Sequence, residues 1–186
     1  MKPAINEGNF YKIINKAIAE KRHVSYLKAV IKQYENYKRL FEKIFTDKNP
    51  EDDVYIMRAN YLLKRPVWRE FEILGNQTFE ELADIIIFSM EWLNDHMHGF
   101  WFTNIKDLPD PHFTCFSIQF FAPGWEDDPH PTFKTNEIKI CDIDYEKYPK
   151  LRFMFDYGAG HEFDVIYKGT RKINKNEQNK KDFPWL

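Results

Sequence analysis

Thr78-Phe-Glu-Glu81 opens a helix that leaves the chain few folds to choose from. The Thr78 hydroxyl can accept from the backbone N–H of Glu81 while the Glu81 carboxylate reaches back, which is a capping box. Glu80 and Glu81 also sit at the positive end of the helix dipole. Phe79, Leu82, Ala83, Ile86 and Met90 keep helical spacing, and Ile85, Ile87 and Phe88 widen the apolar face. A helix apolar over that much of its surface must be covered on two sides. The expectation is a central helix laid on a sheet and roofed by other helices. Asn94-Asp95 is expected to end it, with a strand returning from His98 to Thr103.

The strands are written around this helix. Val54 to Leu63 is rich in β-formers, Lys64-Arg65-Pro66 makes a turn, and Val67, Arg69, Phe71 and Ile73 alternate with Trp68, Glu70 and Glu72. That pattern predicts an antiparallel hairpin. Leu151–Tyr157 and Phe163–Tyr167 predict a second hairpin, reversed through Gly158-Ala159-Gly160-His161, where two glycines permit positive φ. Phe113–Phe121 and Ile138–Ile143 are expected as further strands, and the acidic loop Gly124–His130 lies between them. The fold class is therefore α+β, a mixed or antiparallel sheet of two hairpins plus additional strands with one central amphipathic helix.

Upstream, apolar residues recur at helical spacing from Phe10 to Phe45, broken at Glu20-Lys21-Arg22-His23, so two helices are expected, the first N-capped by Asn9. The division read from the chain is a helical N-terminal arm over 1–48, packed outside, a domain over 54–168 and a basic C-terminal tail over 169–186. The tail ends in the apolar run Phe183-Pro-Trp-Leu186, for which docking back on the domain is the commoner fate.

Composition enters as a set of exclusions. An apolar fraction of 43% with 17% aromatics is enough to bury a core, which excludes a disordered chain. No 18-residue apolar run exists, so no membrane span is expected. Met1–Glu7 lacks an apolar signal core, and a cytoplasmic location is the expectation. Cys115 and Cys141 belong to no CxxC pair, which excludes a cysteine-built zinc ribbon and a disulfide scaffold.

Charge is unevenly spread. Residues 1–48 hold 11 Lys or Arg against 5 Asp or Glu, residues 168–186 hold 6 against 2, and the segment between them is acidic. A basic arm and tail can pair with the acidic body, the commoner outcome, or present a basic surface to nucleic acid or an acidic partner. Tyr26, Tyr34 and Tyr37 interleaved with Lys28, Lys32 and Lys38 keep the nucleic-acid reading open, although no recognition module is present.

The chemistry-bearing stretch is Trp92-Leu-Asn-Asp-His-Met-His-Gly-Phe100. Histidines two apart on a strand share a face, so His96 and His98 could both face one divalent metal, with Asp95, Asp156, His161 or Glu162 completing the set. The plainer reading is that His96 caps the helix C-terminus and His98 is an ordinary half-buried hydrogen-bonding residue. Asp156 is read as the organiser of the Gly158 turn rather than a general base. No serine nucleophile elbow, phosphate-binding loop, dinucleotide turn or HExxH appears.

Four pieces occur in order: Pro66-Val-Trp-Arg69, the spacing from there to the capped helix, Trp92 with His96-Met-His98 and Phe100, and Asp156-Tyr-Gly158. Together they resemble the plasmid pRiA4b ORF-3-like family over about Val54–Lys168. Met90-Glu91-Trp92 lacks the family's glycine before tryptophan, and Ala159 and Gly160 replace its acidic or small polar residues. His161 stands at its tryptophan position and Phe163 at its histidine position. The resemblance implies an α+β domain, often encoded on plasmids or near mobile elements, with no accepted reaction or cofactor. The leading functional expectation is a non-catalytic binding module with Trp92, His96, His98, Phe100, Asp156, His161 and Glu162 as its working surface and no obligatory cofactor. Its partner would be a protein or a small ligand. The alternatives are a metal-dependent hydrolase using His96, His98 and Asp156, and an accessory nucleic-acid binder acting through the arm and tail.

Overall fold

A computed structural model describes residues 7–62, 67–102, 119–121 and 133–174. The expected Lys64-Arg65-Pro66 turn, the acidic loop, Cys115 and the Phe183–Leu186 end fall outside these residues, as does most of the Phe113–Phe121 strand.

Helices α1 (Glu7–Ala19) and α2 (Val24–Ile44) form the arm. They part where expected, with Lys21 and His23 at positive φ (57° and 43°). Asn9 lies inside α1 rather than capping it. The arm meets the domain through apolar side chains: Tyr34 and Ile44 join the main core cluster, and Phe10, Tyr11 and Phe45 pack against it.

The sheet contains β1 (Val54–Tyr61), β2 (Val67–Leu74), β3 (His98–Trp101), β4 (Gln119–Phe121), β5 (Phe133–Lys134), β6 (Lys150–Phe155) and β7 (His161–Arg171). Their order is β2-β1-β7-β6-β3-β4-β5. All neighbours are antiparallel except β4 and β5. Both expected hairpins are present, β1–β2 and β6–β7. The second outruns its expected bounds, because β7 continues past Lys168 to Arg171 opposite Val54.

Alternation sorts the two faces. Tyr55, Met57, Ala59 and Tyr61 of β1, Leu151, Phe153 and Phe155 of β6, and Phe163 and Val165 of β7 are buried together with Phe71, Ile73 and Phe100. The opposite face carries half-buried Arg58, Asn60, Lys150, Arg152, Glu162 and Asp164. There Asp164 accepts from Arg152 (3.1 Å) and pairs with Lys150 (2.7 Å), while Arg152 also pairs with Glu162.

Helix α3 (Phe79–Ser89) lies on the apolar face, with Phe79, Leu82, Ala83, Ile85, Ile86 and Ile87 buried. Each of these side chains except Ala83 contributes about 1.5–3 kcal/mol on leaving water. The capping box forms: the Thr78 N–H donates to the Glu81 carboxylate (2.7 Å) and the Glu81 N–H donates to Oγ1 of Thr78 (3.3 Å).

Two boundaries differ from expectation. The helix stops at Ser89, well before Asn94. The Ser89 hydroxyl donates to Ile86 O (2.7 Å), and the Met90 and Glu91 amides donate to Ile87 O and Phe88 O (3.1 and 2.9 Å), tightening the last turn. Glu91 then takes φ 61°, which throws the chain off the helix axis. Residues 138–143 are not a ladder strand but a 3-10 helix, Ile140–Asp142, flanked by single bridges from Lys139 to Thr78 and from Ile143 to Phe45. The segment staples the start of α3 and the end of α2 together, so its backbone partners come from both rather than from one neighbouring strand.

Candidate functional site

The strand ends decide what meets at one corner of the sheet. Tyr61 ends β1 and pairs in register with Phe163 of β7, and Phe155 ends β6 opposite His161. These positions share the core face. The α3–β3 connection crosses the same end and brings Trp92 down onto them. The Trp92 ring lies 4.3 Å from His161, stacks on Phe155 at 5.9 Å and meets Tyr61 edge-on at 5.6 Å between centroids. Tyr61 stacks on Phe163 at 4.7 Å, and its hydroxyl lies 2.5 Å from Nδ1 of His161. Burial raises the Tyr61 phenol above its ordinary pKa, so it stays protonated.

Asp156 shapes the turn beside the cluster. It adopts φ 50°, in the left-handed region that short polar side chains tolerate. Its Oδ1 accepts from the amides of Gly158 (3.0 Å) and Ala159 (3.1 Å), and Gly160 N–H donates to its carbonyl (2.7 Å). These backbone bonds hold its carboxyl below the ordinary range. Asp156 is thus the turn organiser expected of it. The Asp156 amide donates to Met97 O (3.0 Å), tying the turn to the α3–β3 connection. His96 spans the same gap with Nδ1 2.8 Å from Asp95 and Nε2 3.8 Å from Asp156. The hydrogen bond to Asp95 and then the Asp156 charge raise its pKa.

Of the residues expected at the site, the structure brings Trp92, His96, Asp156 and His161 together and separates three others. His98 does not join His96. Strand β3 begins at His98, so His96 precedes it in irregular chain and the two-residue parity does not apply. His98 is 2% exposed and turned under α3, with Nε2 3.2 Å from Glu80 Oε2, to which Thr135 also donates. A carboxylate only accepts, so Nε2 carries the proton that faces Glu80, and Nδ1 is buried without a hydrogen-bond partner. The reading of His96 as a helix C-cap fails because the helix ends at Ser89. Phe100 is fully buried against Phe79 and Phe153, a core residue rather than a surface one. Glu162 alternates to the opposite face of β7, where Arg152 takes it. The expected set of His96, His98 and Asp156 is therefore not assembled. Among the described residues no three His, Cys, Asp or Glu side chains stand together as a metal site.

Sequence reasoning missed Tyr61, although its parity in β1 and its place at the strand end were readable. It also missed the apolar rim. Leu62 follows Tyr61, Leu93 follows Trp92 and Tyr157 follows Asp156, and all three are exposed, Leu93 by 75%. Each of the three segments that build the corner thus presents one large apolar side chain to solvent. Glu80 and Thr135 were missed as partners of His98, since nothing at the level of spacing links positions so far apart.

The described residues contain no helix long and apolar enough to cross a membrane. A family model described as plasmid pRiA4b ORF-3-like protein matches residues 61–184. A search of curated proteins found no match. Among solved structures, a protein of unknown function from Methanosarcina mazei Go1 is similar at a TM-score of 0.58 and 21% identity, covering 74% of this chain and 69% of that one. At that identity the likeness concerns the fold.

Proposed function

The chain belongs to the plasmid pRiA4b ORF-3-like family, and from that premise we propose that it is a non-catalytic interaction module whose working surface is the Trp92–His161 corner. The observation that carries the reading is the apolar rim. Each of the three segments that meet at the corner carries one exposed large apolar side chain, Leu62, Leu93 or Tyr157, next in sequence to a residue of the corner that holds the stacked cluster of Trp92, Tyr61 and His161. Apolar surface gathered at one place marks a contact site more often than scattered exposure does. Aromatic rings with a polar tip, such as Trp92 and Tyr61, are the side chains that carry interface energy.

The corner's polar groups suit positioning rather than bond-breaking. Asp156 spends its Oδ1 on backbone amides, and the nearest nitrogen of His161 is engaged by Tyr61. The fitting partner is a protein segment that offers an apolar or aromatic side chain to the rim.

The test compares co-purification by the wild-type protein with that by a Leu62→Ser, Leu93→Ser, Tyr157→Ser variant. These side chains already face solvent, so the melting temperature should hold within a few degrees. A partner held by the wild type and lost by the variant is the expected result. Equal retention by both would overturn the reading.

A further inference from the structure

We propose that the outer face of the α1–α2 hairpin is a docking surface for the phosphate backbone of a nucleic acid. This inference stands independently of the corner, on charge and exposure in the arm.

Between Lys12 and Lys32 the hairpin carries Lys12, Lys16, Lys21, Arg22, Lys28 and Lys32 against one carboxylate, Glu20, which Arg22 holds at 3.0 Å. The five lysines are all exposed, and among the described residues none of them makes an ion pair. Lys38 pairs with Glu7 at 2.7 Å, within the arm. In the tail, Arg171 meets Glu72 and Lys172 meets Asp53. Five exposed cations that no described carboxylate pairs are an electrostatic footprint.

Their placement is regular. Lys12 and Lys16 are four apart on α1, as are Lys28 and Lys32 on α2, so each pair forms a row about 6 Å long at 1.5 Å rise per residue. Each row lies away from the buried side of its helix, marked by Ile14 on α1 and Tyr34 on α2. Lys21 and Arg22 sit in the connection between the rows. Tyr26, 69% exposed near the start of α2, offers a ring on which a base can stack.

A membrane surface fits less well. An interfacial helix needs a broad apolar face free to enter the bilayer, whereas here Ile14, Tyr34 and Ile44 are buried, and besides Tyr26 only Ile13 among the arm's described large apolar side chains stands largely in water.

If the five lysines each neutralise one phosphate, log K falls with log salt at a slope of about −4.5, roughly a 500-fold loss between 50 and 200 mM salt. The test measures fluorescence anisotropy of labelled 20-residue single-stranded and duplex DNA and RNA. It uses the full chain and a Lys12→Gln, Lys16→Gln, Lys28→Gln, Lys32→Gln variant checked for fold by circular dichroism. The variant should bind at least tenfold more weakly at 50 mM salt, with its slope reduced to about −0.9. The proposal is overturned if the wild type binds no nucleic acid at 50 mM salt, or if the variant binds with an unchanged slope. It is equally overturned if vesicles with about 30% anionic phospholipid, or polyglutamate, bind the arm while nucleic acid does not.

Discussion

Replacing His98 with leucine tests how the chain tolerates a histidine beneath its central helix. In the folded protein Nε2 of His98 donates to Glu80 at 3.2 Å, and Nδ1 is buried without a hydrogen-bond partner. Losing a hydrogen bond to a charged group costs about 1.5–3 kcal/mol. Removing the buried nitrogen that has no partner returns part of that, about 1 kcal/mol. Leucine fills a similar volume, so the net loss at pH 7 should be about 1 kcal/mol, or ~2–4 °C in melting temperature for a chain of this size.

The pH dependence carries the sharper signature. Burial pushes the Glu80 carboxyl up, but the bonds from His98 and Thr135 together pull it below its ordinary value of 4.5. A carboxyl lowered in the folded state adds stability above its unfolded pKa and loses that stability as pH falls through the folded one. In the variant the bond from Thr135 alone opposes burial, so the folded pKa rises and acid no longer penalises folding there. The deficit of the variant should therefore narrow between pH 7 and pH 4. Urea unfolding at pH 7, 5.5 and 4 measures it. A variant at least as stable as the wild type at pH 7, or a deficit that widens on acidification, would refute the reasoning.

Gly75→Ala should cost about 2 kcal/mol or more by urea unfolding, because an added Cβ would stand 2.6 Å from Pro50 O, 2.8 Å from Tyr55 Cε2 and 2.9 Å from Glu51 O. Thr78→Ala should cost about 1 kcal/mol by removing half of the capping box, while Thr78→Ser should restore most of it. The raised pKa of His96 means that its contribution is complete below the unfolded value of about 6.5 and disappears as pH rises through the folded one. Proton NMR titration should show Asp95→Asn lowering the His96 pKa more than Asp156→Asn does, since the Asp95 hydrogen bond is the larger cause.

Local signals were the legible ones. The capping box, the break at Lys21–His23 and both hairpins depend on residues close in sequence, and the structure has all of them. Asp156 was readable for the same reason, since an Asx-type turn is closed within a few residues. What failed turned on distant partners. Ile138–Ile143 has strand-like composition, yet its amides and carbonyls are claimed by Gly75, Gln77, Phe79 and Thr46, and they draw it into a 3-10 turn. His98 reads as half of a histidine pair because its neighbour two residues back is visible, whereas Glu80 lies 18 residues away on another element. The corner was half legible: the Trp92–Phe100 stretch and the Gly158 turn pointed to Trp92, His96, Asp156 and His161, although the strand parity invoked for His96 did not hold. Tyr61 became part of it only once β1 was seen to pair with β7 rather than with β2 alone.

A photo-activatable crosslinking residue placed at Leu93, and separately at Tyr157, tests the corner most directly, with a third placement at Trp68 on the opposite sheet face as control. In the cells that make the protein, Leu93 and Tyr157 should yield one discrete adduct to the same partner, which the Trp68 placement lacks. Adducts absent from both corner positions, or equal at all three, would contradict the corner as the working surface.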